Sequence, residues 1–355
     1  MMFKQKFYIV FLLCWIFLSG LVSFDIVAQD YSVGNAEMLF TSHEILNLTI
    51  TGDLNTLLKD AGDDRTEHPF VLEYFNGVDT IYLDVDIETR GNFRRKSENC
   101  SFPPLKLNFK KKQVKNTLFD GLNKVKLVTH CRSKSSKFEQ YAIEEYLIYR
   151  VYNIITDTSF RVRMALINYV DTVSGRKTQE KYGFFIEPDG AFEDRFDAHE
   201  RKQKYLLQEK TSYDHMGELA VFQYMMGNTD WAVSTLHNIK LFATDTLQPP
   251  YAIPYDFDWC GSINTLYSKP LPRFELESVK DRLYRGYCRP IEQYKKHAQH
   301  FIDKKDEIYS LYEHFELLDK QERKRIFKYY DDFYFIISDE RSLNSEFLKS
   351  CLKEN

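Results

Sequence analysis

Carboxylate and amide side chains at short spacings make residues 227–259 the part of this chain best suited to chemistry. Asp230 follows the predicted end of a helix at Gly227. Asp256 follows a short predicted strand that ends at Pro254. Phosphoryl transfer needs a carboxylate that orients and deprotonates the acceptor hydroxyl. We therefore expect Asp230 to be the catalytic residue of such a reaction.

The same stretch contains oxygen ligands for a metal ion. Asn238 begins one short predicted strand, and Asp256 and Asp258 follow the next. A divalent cation that bridges phosphates takes amide and carboxylate oxygens of this kind. The predicted metal ligands are therefore Asn238, Asp256 and Asp258. A helix cap at Asp230 and turn residues after Pro254 are the alternative interpretation of these positions.

The elements that must position these residues change from strands to helices along the chain. Period-two alternation and β-branched residues predict strands at 45–50, 71–75, 80–89, 105–109 and 124–127, with a hairpin turn at 76–79. A helix with an apolar stripe is predicted from Phe138 to Thr156, and strands follow at 161–170 and 182–186. Beyond about residue 205 the pattern is mainly helical, with short strands near 238–242 and 252–254. This order predicts an α+β fold.

Several motifs resemble those of the CotH family of secreted, protein-kinase-like proteins. They are Arg90-Gly91-Asn92, the segments 101–107 and 182–187, and the series formed by Asn228, Asp230, His237-Asn238 and 254–258. The resemblance covers roughly residues 80–290. It implies a two-lobed protein-kinase-like fold, with a β-rich N-terminal lobe at 29–188 that contains one helix and a mainly helical C-terminal lobe at 189–355. It also implies ATP with Mg²⁺ or Mn²⁺, and phosphorylation of Ser or Thr hydroxyls on a protein substrate outside the cytoplasm.

The β-rich part must supply a lysine for the nucleotide phosphates, and two lysines qualify. Lys106 lies in the family-like segment and is favoured, whereas Lys126 lies on the strand just before the helix. The helix should supply a glutamate as ion-pair partner. At 100° per residue Glu144 falls inside the apolar stripe and Glu145 outside it. Because a charge on a buried stripe needs a partner, we predict that Glu144 pairs with the lysine.

Two further polar features lie near the predicted nucleotide site. Glu187, at the junction of the predicted lobes, either contacts the nucleotide or caps a turn. The cluster Arg94-Arg95-Lys96 is interpreted as a solvated face, with steering of an acidic substrate as the alternative.

The N-terminus has the pattern of an export signal. Lys4 and Lys6 precede an uncharged run from Phe7 to Val22, and small residues up to Ala28 offer a cleavage point. We predict a signal peptide at 1–28 and a secreted or periplasmic protein, with an uncleaved anchor as the alternative. No later run is apolar enough to span a membrane. In an oxidising compartment, Cys100 with Cys131 and Cys260 with Cys288 are candidate disulfides, and buried free thiols are the alternative.

Charge and composition exclude some classes of function. A formal net charge of −4 lacks the basic excess of a nucleic-acid-binding protein. The leading hypothesis is an ATP-dependent protein kinase. Two other hypotheses stay open, which are an AMP transferase and a non-catalytic envelope or surface binding module.

Overall fold

The strands of the first half of the chain close into a barrel. In the computed structural model, which describes residues 38–62 and 64–353, these strands are β1 (Leu46–Gly52), β2 (His68–Phe75), β3 (Thr80–Thr89), β4 (Leu105–Phe109), β5 (Lys124–Val128), β6 (Val162–Asp171) and β7 (Gln179–Ile186). Their order around the barrel is β1-β2-β3-β4-β5-β7-β6. Neighbouring strands are antiparallel except β1 and β6, which pair in parallel and complete the circle.

The barrel has an apolar interior because successive side chains of a strand point to opposite faces. Ile50, Leu72 and Ile87 are fully buried members of this core, and each comes from a different strand. The predicted strands of this region are confirmed. The hairpin predicted around residues 76–79 is confirmed as well, since all of β2 pairs with β3, from Phe75 opposite Thr80 to His68 opposite Ile87.

Helices and a small sheet follow or interrupt the barrel strands. The helices are α1 (Leu54–Lys59), α2 (Ser136–Ile155), α3 (Asp189–Phe196), α4 (Tyr213–Met226), α5 (Ile291–Asp303), α6 (Lys305–Glu313), α7 (Lys320–Ser338) and α8 (Glu340–Ser350). The small sheet has the order β10-β9-β8 and consists of β8 (His199–Glu200), β9 (Ile239–Ala243) and β10 (Tyr251–Pro254). Within the described ranges, none of these helices combines the length and apolar character that a membrane crossing requires.

The expectation of a two-lobed protein-kinase-like fold is wrong. β1, which the sequence marks only as an early strand, pairs in register with β6 from Leu46 opposite Ala165 onwards and closes the sheet into a barrel. Pairing between strands so distant in sequence leaves no trace in local periodicity, which reports only the faces of each strand. The sequence therefore predicted the strands but not the closure.

The helix α2 packs against the C-terminal helices. The rings of Tyr152 and Phe222 lie 4.4 Å apart between centroids, and those of Tyr146 and Phe315 lie 5.6 Å apart. These residues share one large core with the C-terminal helices, while the barrel interior forms a second core. All described residues belong to a single compact unit. The predicted boundary near residue 188 falls between β7 and α3 and stays a prediction, as does the signal peptide at 1–28, which lies outside the described residues.

Two disulfides cross-link the part of the chain that the structure describes. The predicted pairing of Cys100 with Cys131 is confirmed. The candidate pairing of Cys260 with Cys288 is wrong, because Cys288 bonds Cys351 at the end of α8 and Cys260 is a buried free thiol.

Candidate active site

Gly227 ends α4 and sets the direction of the loop that carries Asp230. Its φ of +62° lies in the left-handed region, where a residue without a Cβ atom avoids steric cost. A Cβ atom at this position would lie 2.0 Å from the hydroxyl of Tyr329, so the close approach itself requires glycine. Three residues later, the Asp230 N–H donates to Asn228 Oδ1 at 2.9 Å and fixes the loop.

Asp230 is held by hydrogen bonds to both of its carboxylate oxygens. His237 Nε2 lies 2.7 Å from Oδ1, and Asn238 Nδ2 donates to Oδ2 at 3.1 Å and to the backbone oxygen at 2.8 Å. The bond to Asp230 raises the pKa of His237. The side chain of Asp230 keeps 22% of its surface exposed. The predicted base thus touches the predicted metal ligand Asn238 and can still meet a substrate.

Asp256 lies beside Asp230 and Asn238 because β9 and β10 pair up to Ile239 and Pro254, which lie one residue after Asn238 and two residues before Asp256. Tyr255 N–H donates to the carbonyl oxygen of Asn238 at 3.1 Å, which continues the β9–β10 ladder. Asp256 and Asn238 both have left-handed backbones, with φ of +63° and +51°, a conformation that Asp and Asn tolerate better than most residues. Asp256 N–H donates to the hydroxyl of Tyr149 at 2.9 Å. The structure therefore brings Asp230, Asn238 and Asp256 together.

Arg94 forms ion pairs with three carboxylates, one of which is that of Asp256. Its guanidinium lies 2.9 Å from Glu145 Oε2, 3.0 Å from Asp256 Oδ1 and 3.3 Å from Asp258 Oδ2. Asp258 is buried and also accepts from the hydroxyl of Tyr267 at 3.0 Å. Burial raises the pKa of Asp258, and the charge of Arg94 offsets that effect only in part. Arg94 is therefore an internal ion-pair centre, not part of the solvated face that the sequence suggested.

The glutamate that reaches the site from α2 is Glu145, not Glu144. Glu144 lies on the buried stripe as expected, but that stripe packs towards α7, where Glu144 forms an ion pair with Arg325. Glu145 is also buried and contacts Arg94 with both oxygens. The ion pair expected between Glu144 and a lysine is therefore absent from the described residues. Helical periodicity identified a buried carboxylate but could not show which neighbour each face of α2 meets.

A cleft of about 490 Å³ lies between the barrel and the N-terminal part of α3. Lys106 and Lys126, which are register partners on β4 and β5, both line it, with Val125, Pro188 and Asp189 among their neighbours. Its size falls within the range of about 300–1,000 Å³ that is usual for small-molecule sites. Lys106 Nζ is engaged by Glu88 Oε1 at 2.5 Å. Burial lowers the pKa of Lys126 to about 8, although the charge of Asp189 opposes this shift.

A smaller cavity connects Lys126 to the metal-ligand candidates. Its lining includes Arg90, Lys126, Tyr149, Tyr255 and Asp256. Arg90 Nε is buried without a hydrogen-bond partner among the described residues. A guanidinium of this kind is a ready donor for phosphate oxygens. In the sequence, Arg90 was marked only by the Arg90-Gly91-Asn92 motif. Nothing there indicated that its charge faces Asp256.

Glu187 forms part of the wall of this smaller cavity, but both of its carboxylate oxygens already accept hydrogen bonds from neighbouring residues. Its Oε2 lies 2.7 Å from Arg195 Nη2 and accepts from the Arg161 N–H at 3.0 Å. Its Oε1 accepts from Arg195 Nε at 2.9 Å. These bonds tie the end of β7 to α3, which corresponds to the turn-capping interpretation of Glu187 more closely than to nucleotide contact.

The residues present suit a metal ion that is shared with a nucleotide. Among the described residues, no three His, Cys, Asp or Glu side chains form a cluster that could hold a metal ion. Mg²⁺ is usually bound through one or two carboxylates, substrate phosphates and waters instead of a cage made by protein alone. Asp256, with a side chain 44% exposed, and the neighbouring amide of Asn238 provide that smaller set. Asp258 faces Arg94 and Tyr267 and serves to position Arg94.

Comparisons with known proteins give little further guidance. No protein-family model matches the chain, and no curated protein gives a significant match. Among solved structures, the chain shows a weak similarity to one described as the crystal structure of the golgi casein kinase. That similarity has a TM-score of 0.34 and 10% sequence identity, and it covers 90% of this chain and 78% of that one. The similarity to a kinase is too low to carry any residue role across, so the site is interpreted from its own geometry.

Proposed function

We propose that this protein transfers the γ-phosphoryl group of ATP to a hydroxyl acceptor with the help of Mg²⁺ or Mn²⁺. The observation that carries the proposal is the position of Lys126. This lysine lines both the cleft of about 490 Å³ and the smaller cavity that contains Asp256. A nucleotide in the cleft therefore has a lysine at one end, with an arginine and an exposed carboxylate beyond it. That order of charges is what a triphosphate and its metal ion require.

Each residue then has a separate task. Asp256 and Asn238 would hold the metal ion, which when bound neutralises charge on the phosphates. Lys126 and Arg90 bind phosphate oxygens, and Arg94 with Glu145 and Asp258 holds Asp256 in place. Asp230 accepts the proton of the acceptor hydroxyl as that oxygen bonds the γ-phosphorus, and the bond to the bridging oxygen of ADP breaks.

The sequence motifs extend the proposal to the acceptor. Their resemblance to the CotH family suggests Ser or Thr hydroxyls of a protein outside the cytoplasm. The export signal that the sequence predicts at 1–28 favours the same compartment, secreted or periplasmic.

Label transfer tests the reaction type. The chain is incubated with Mg²⁺ or Mn²⁺ and either γ-labelled or α-labelled ATP, with the chain itself and envelope proteins as acceptors. We expect only the γ label to appear on protein. Appearance of the α label would replace the proposal with AMP transfer, and the absence of both labels together with no calorimetric binding of ATP would favour a binding module.

Two substitutions separate the roles of the carboxylates. Asp230→Asn should keep metal-dependent ATP binding and lose transfer by about 10²–10⁴-fold, the usual contribution of a general base. Asp256→Asn should lose the metal-dependent part of ATP binding together with transfer. Asp332→Asn, at an exposed position on α7, is the matched control and should behave as the unmutated chain. Unchanged transfer in both site variants would contradict the proposal.

A further inference from the structure

The segment 281–289 contains three arginines that donate to backbone carbonyls around α4. Arg289 contacts the first residue of α4, and Arg282 contacts Met225 near its end. Arg285 contacts the loop that follows α4. Among the described residues, the linings of the nucleotide cleft and of the smaller cavity do not include these arginines. Their contacts are therefore with the backbone that carries the site and not with the nucleotide.

Arg285 binds two carbonyls that lie on either side of Asp230. Its Nη1 donates to the Thr229 carbonyl at 2.7 Å and also to the carbonyl of Trp231. Hydrogen bonds from a charged donor are stronger than those between neutral groups. The Thr229 carbonyl belongs to the peptide unit that leads into Asp230, and the Trp231 carbonyl follows one residue later. The guanidinium therefore restrains the backbone on both sides of the proposed base.

Two aromatic rings hold the guanidinium of Arg285 in place. Its central carbon lies 5.1 Å from the centre of the Trp231 ring and 4.6 Å from the centre of the Phe274 ring. A cation over an aromatic face is attracted by the ring. Trp231 is fully buried, and its Nε1 donates to the Asn228 carbonyl at 3.2 Å. Arg285 thus stacks on a fixed side chain of the same loop whose carbonyls it binds.

The charge of Arg285 also acts on Asp230 itself. Burial, with a contribution from the charge of Arg273, lowers the pKa of Arg285 to about 10, and the charge of Asp230 opposes this shift. The guanidinium therefore keeps its charge at neutral pH. The Asp230 carboxylate is attracted by this charge in addition to its hydrogen bonds with His237 and Asn238.

The backbone of Arg285 is fixed from two directions. Gln208 Nε2 donates to its carbonyl at 3.0 Å. The carbonyl of Gly286, the next residue, accepts from the N–H of the residue after Cys351 at 2.8 Å. The disulfide between Cys288 and Cys351 joins the same two parts of the chain. A side chain on a backbone so constrained can hold the neighbouring loop in one position.

We propose that Arg285 is a positioning residue for phosphoryl transfer, which holds Asp230 where the acceptor hydroxyl loses its proton. The inference rests on the proposed function for the role of Asp230, whereas the contacts of Arg285 with the loop stand without it. A general base must lie within hydrogen-bond reach of the proton that it accepts. Loss of Arg285 should therefore slow transfer without weakening the binding of ATP.

Amide hydrogen exchange of the full chain, without nucleotide or metal, tests whether Arg285 holds the loop. In Arg285→Met the amides of 228–238 should exchange at least about tenfold faster, because two bonds from a charged donor are lost. Arg285→Lys keeps a charged donor and should recover part of the protection. Arg289→Met, which removes a similar bond at the start of α4, is the matched control and should leave this loop unchanged. Equal loop exchange in Arg285→Met and the unmutated chain would overturn the proposal.

Transfer of label from γ-labelled ATP separates positioning from a general loss of structure. Arg285→Met should lower kcat by about 10–10²-fold at an unchanged KM for ATP, the size of effect that a small misplacement of a catalytic group causes. Added to Asp230→Asn, it should cause no further loss, because residues that act through one group are not additive. A further loss in the double variant would show a structural role only and would overturn the proposal.

Failure of this inference and failure of the proposed function give different results. Unchanged transfer in Asp230→Asn would contradict the proposed function. Loss of transfer in Asp230→Asn with unchanged kcat in Arg285→Met would overturn only the inference about Arg285. The exchange measurement needs no catalytic activity, so it decides whether Arg285 holds the loop in either case.

Discussion

Lys126 gives the proposed nucleotide site a pH dependence. Burial lowers its pKa to about 8, so the side chain is charged below that pH and becomes neutral as the pH rises through it. Binding of ATP should therefore weaken between pH 7 and 9 in the absence of metal, and titration calorimetry across this range measures the loss. Lys126→Arg keeps the charge at all these pH values and should flatten the profile. Equal pH profiles for the two proteins would contradict the role of Lys126.

The two neighbouring glutamates of α2 should separate function from stability. Glu145→Gln weakens the Arg94 centre that holds Asp256, so ATP-dependent transfer should fall by at least tenfold with correct folding retained. Glu144→Gln breaks the pair with Arg325 and should lower stability without a matching loss in transfer. Urea unfolding and label transfer on both variants give the comparison. Equal loss of transfer in the two would show that Glu145 has no special connection to the site.

At the scale of elements, the end of α4 determines where Asp230 lies. Gly227→Ala places a Cβ atom into a left-handed backbone and against the hydroxyl of Tyr329. We expect a loss of at least about 1 kcal/mol in the free energy of unfolding, the cost of a left-handed alanine, and a larger relative loss of transfer. Gly62→Ala is the control, because no atom of the described residues outside its chain neighbours lies within 4 Å of the added Cβ. A Gly227→Ala protein with unchanged stability would contradict this account.

At the scale of the whole molecule, buried histidines should make the fold sensitive to acid. Burial lowers the pKa of His130 to about 3 and that of His215 and His297 to about 4. Between these values and about 6.5, the unfolded chain binds protons that the folded chain does not. The free energy of unfolding therefore falls as pH falls from about 6.5 to 4, by up to about 1.4 kcal/mol per pH unit for each histidine.

One substitution isolates this effect. His215→Gln keeps a group that can donate to the Ala252 carbonyl, which His215 Nε2 contacts at 2.9 Å, but it removes the titration. Urea unfolding between pH 7 and 4.5 should show a shallower pH dependence than in the unmutated chain, and His314→Gln, at an exposed position, should show no change. The same slope in all three proteins would rule out a contribution from His215.

What the sequence determined by itself was local. β-Branched and aromatic residues around a turn predicted β2, β3 and the hairpin between them. Alternation predicted β4 and β5, because the residue types of a half-buried strand show which face is buried. Local patterns also predicted two helical features. An apolar stripe predicted α2, and a terminal glycine predicted the end of α4. Asp230, Asn238 and Asp256 were readable as a group because one short stretch of chain contains them all.

What only the tertiary structure decided was which distant segments meet. The parallel pairing of β1 with β6 closes the barrel and rules out the predicted two-lobed fold. The sequence could not predict this pairing, because strand periodicity shows which face of a strand is buried but not which strand lies beside it. The contacts of α2 with its neighbours decided between Glu144 and Glu145, since a helix face is defined by what packs on it. Arg94 looked like a surface charge because its cluster is basic in sequence. It is buried because Glu145 of α2 and two aspartates that follow β10 converge on it. Such convergence arises from the fold as a whole, and no local pattern records it.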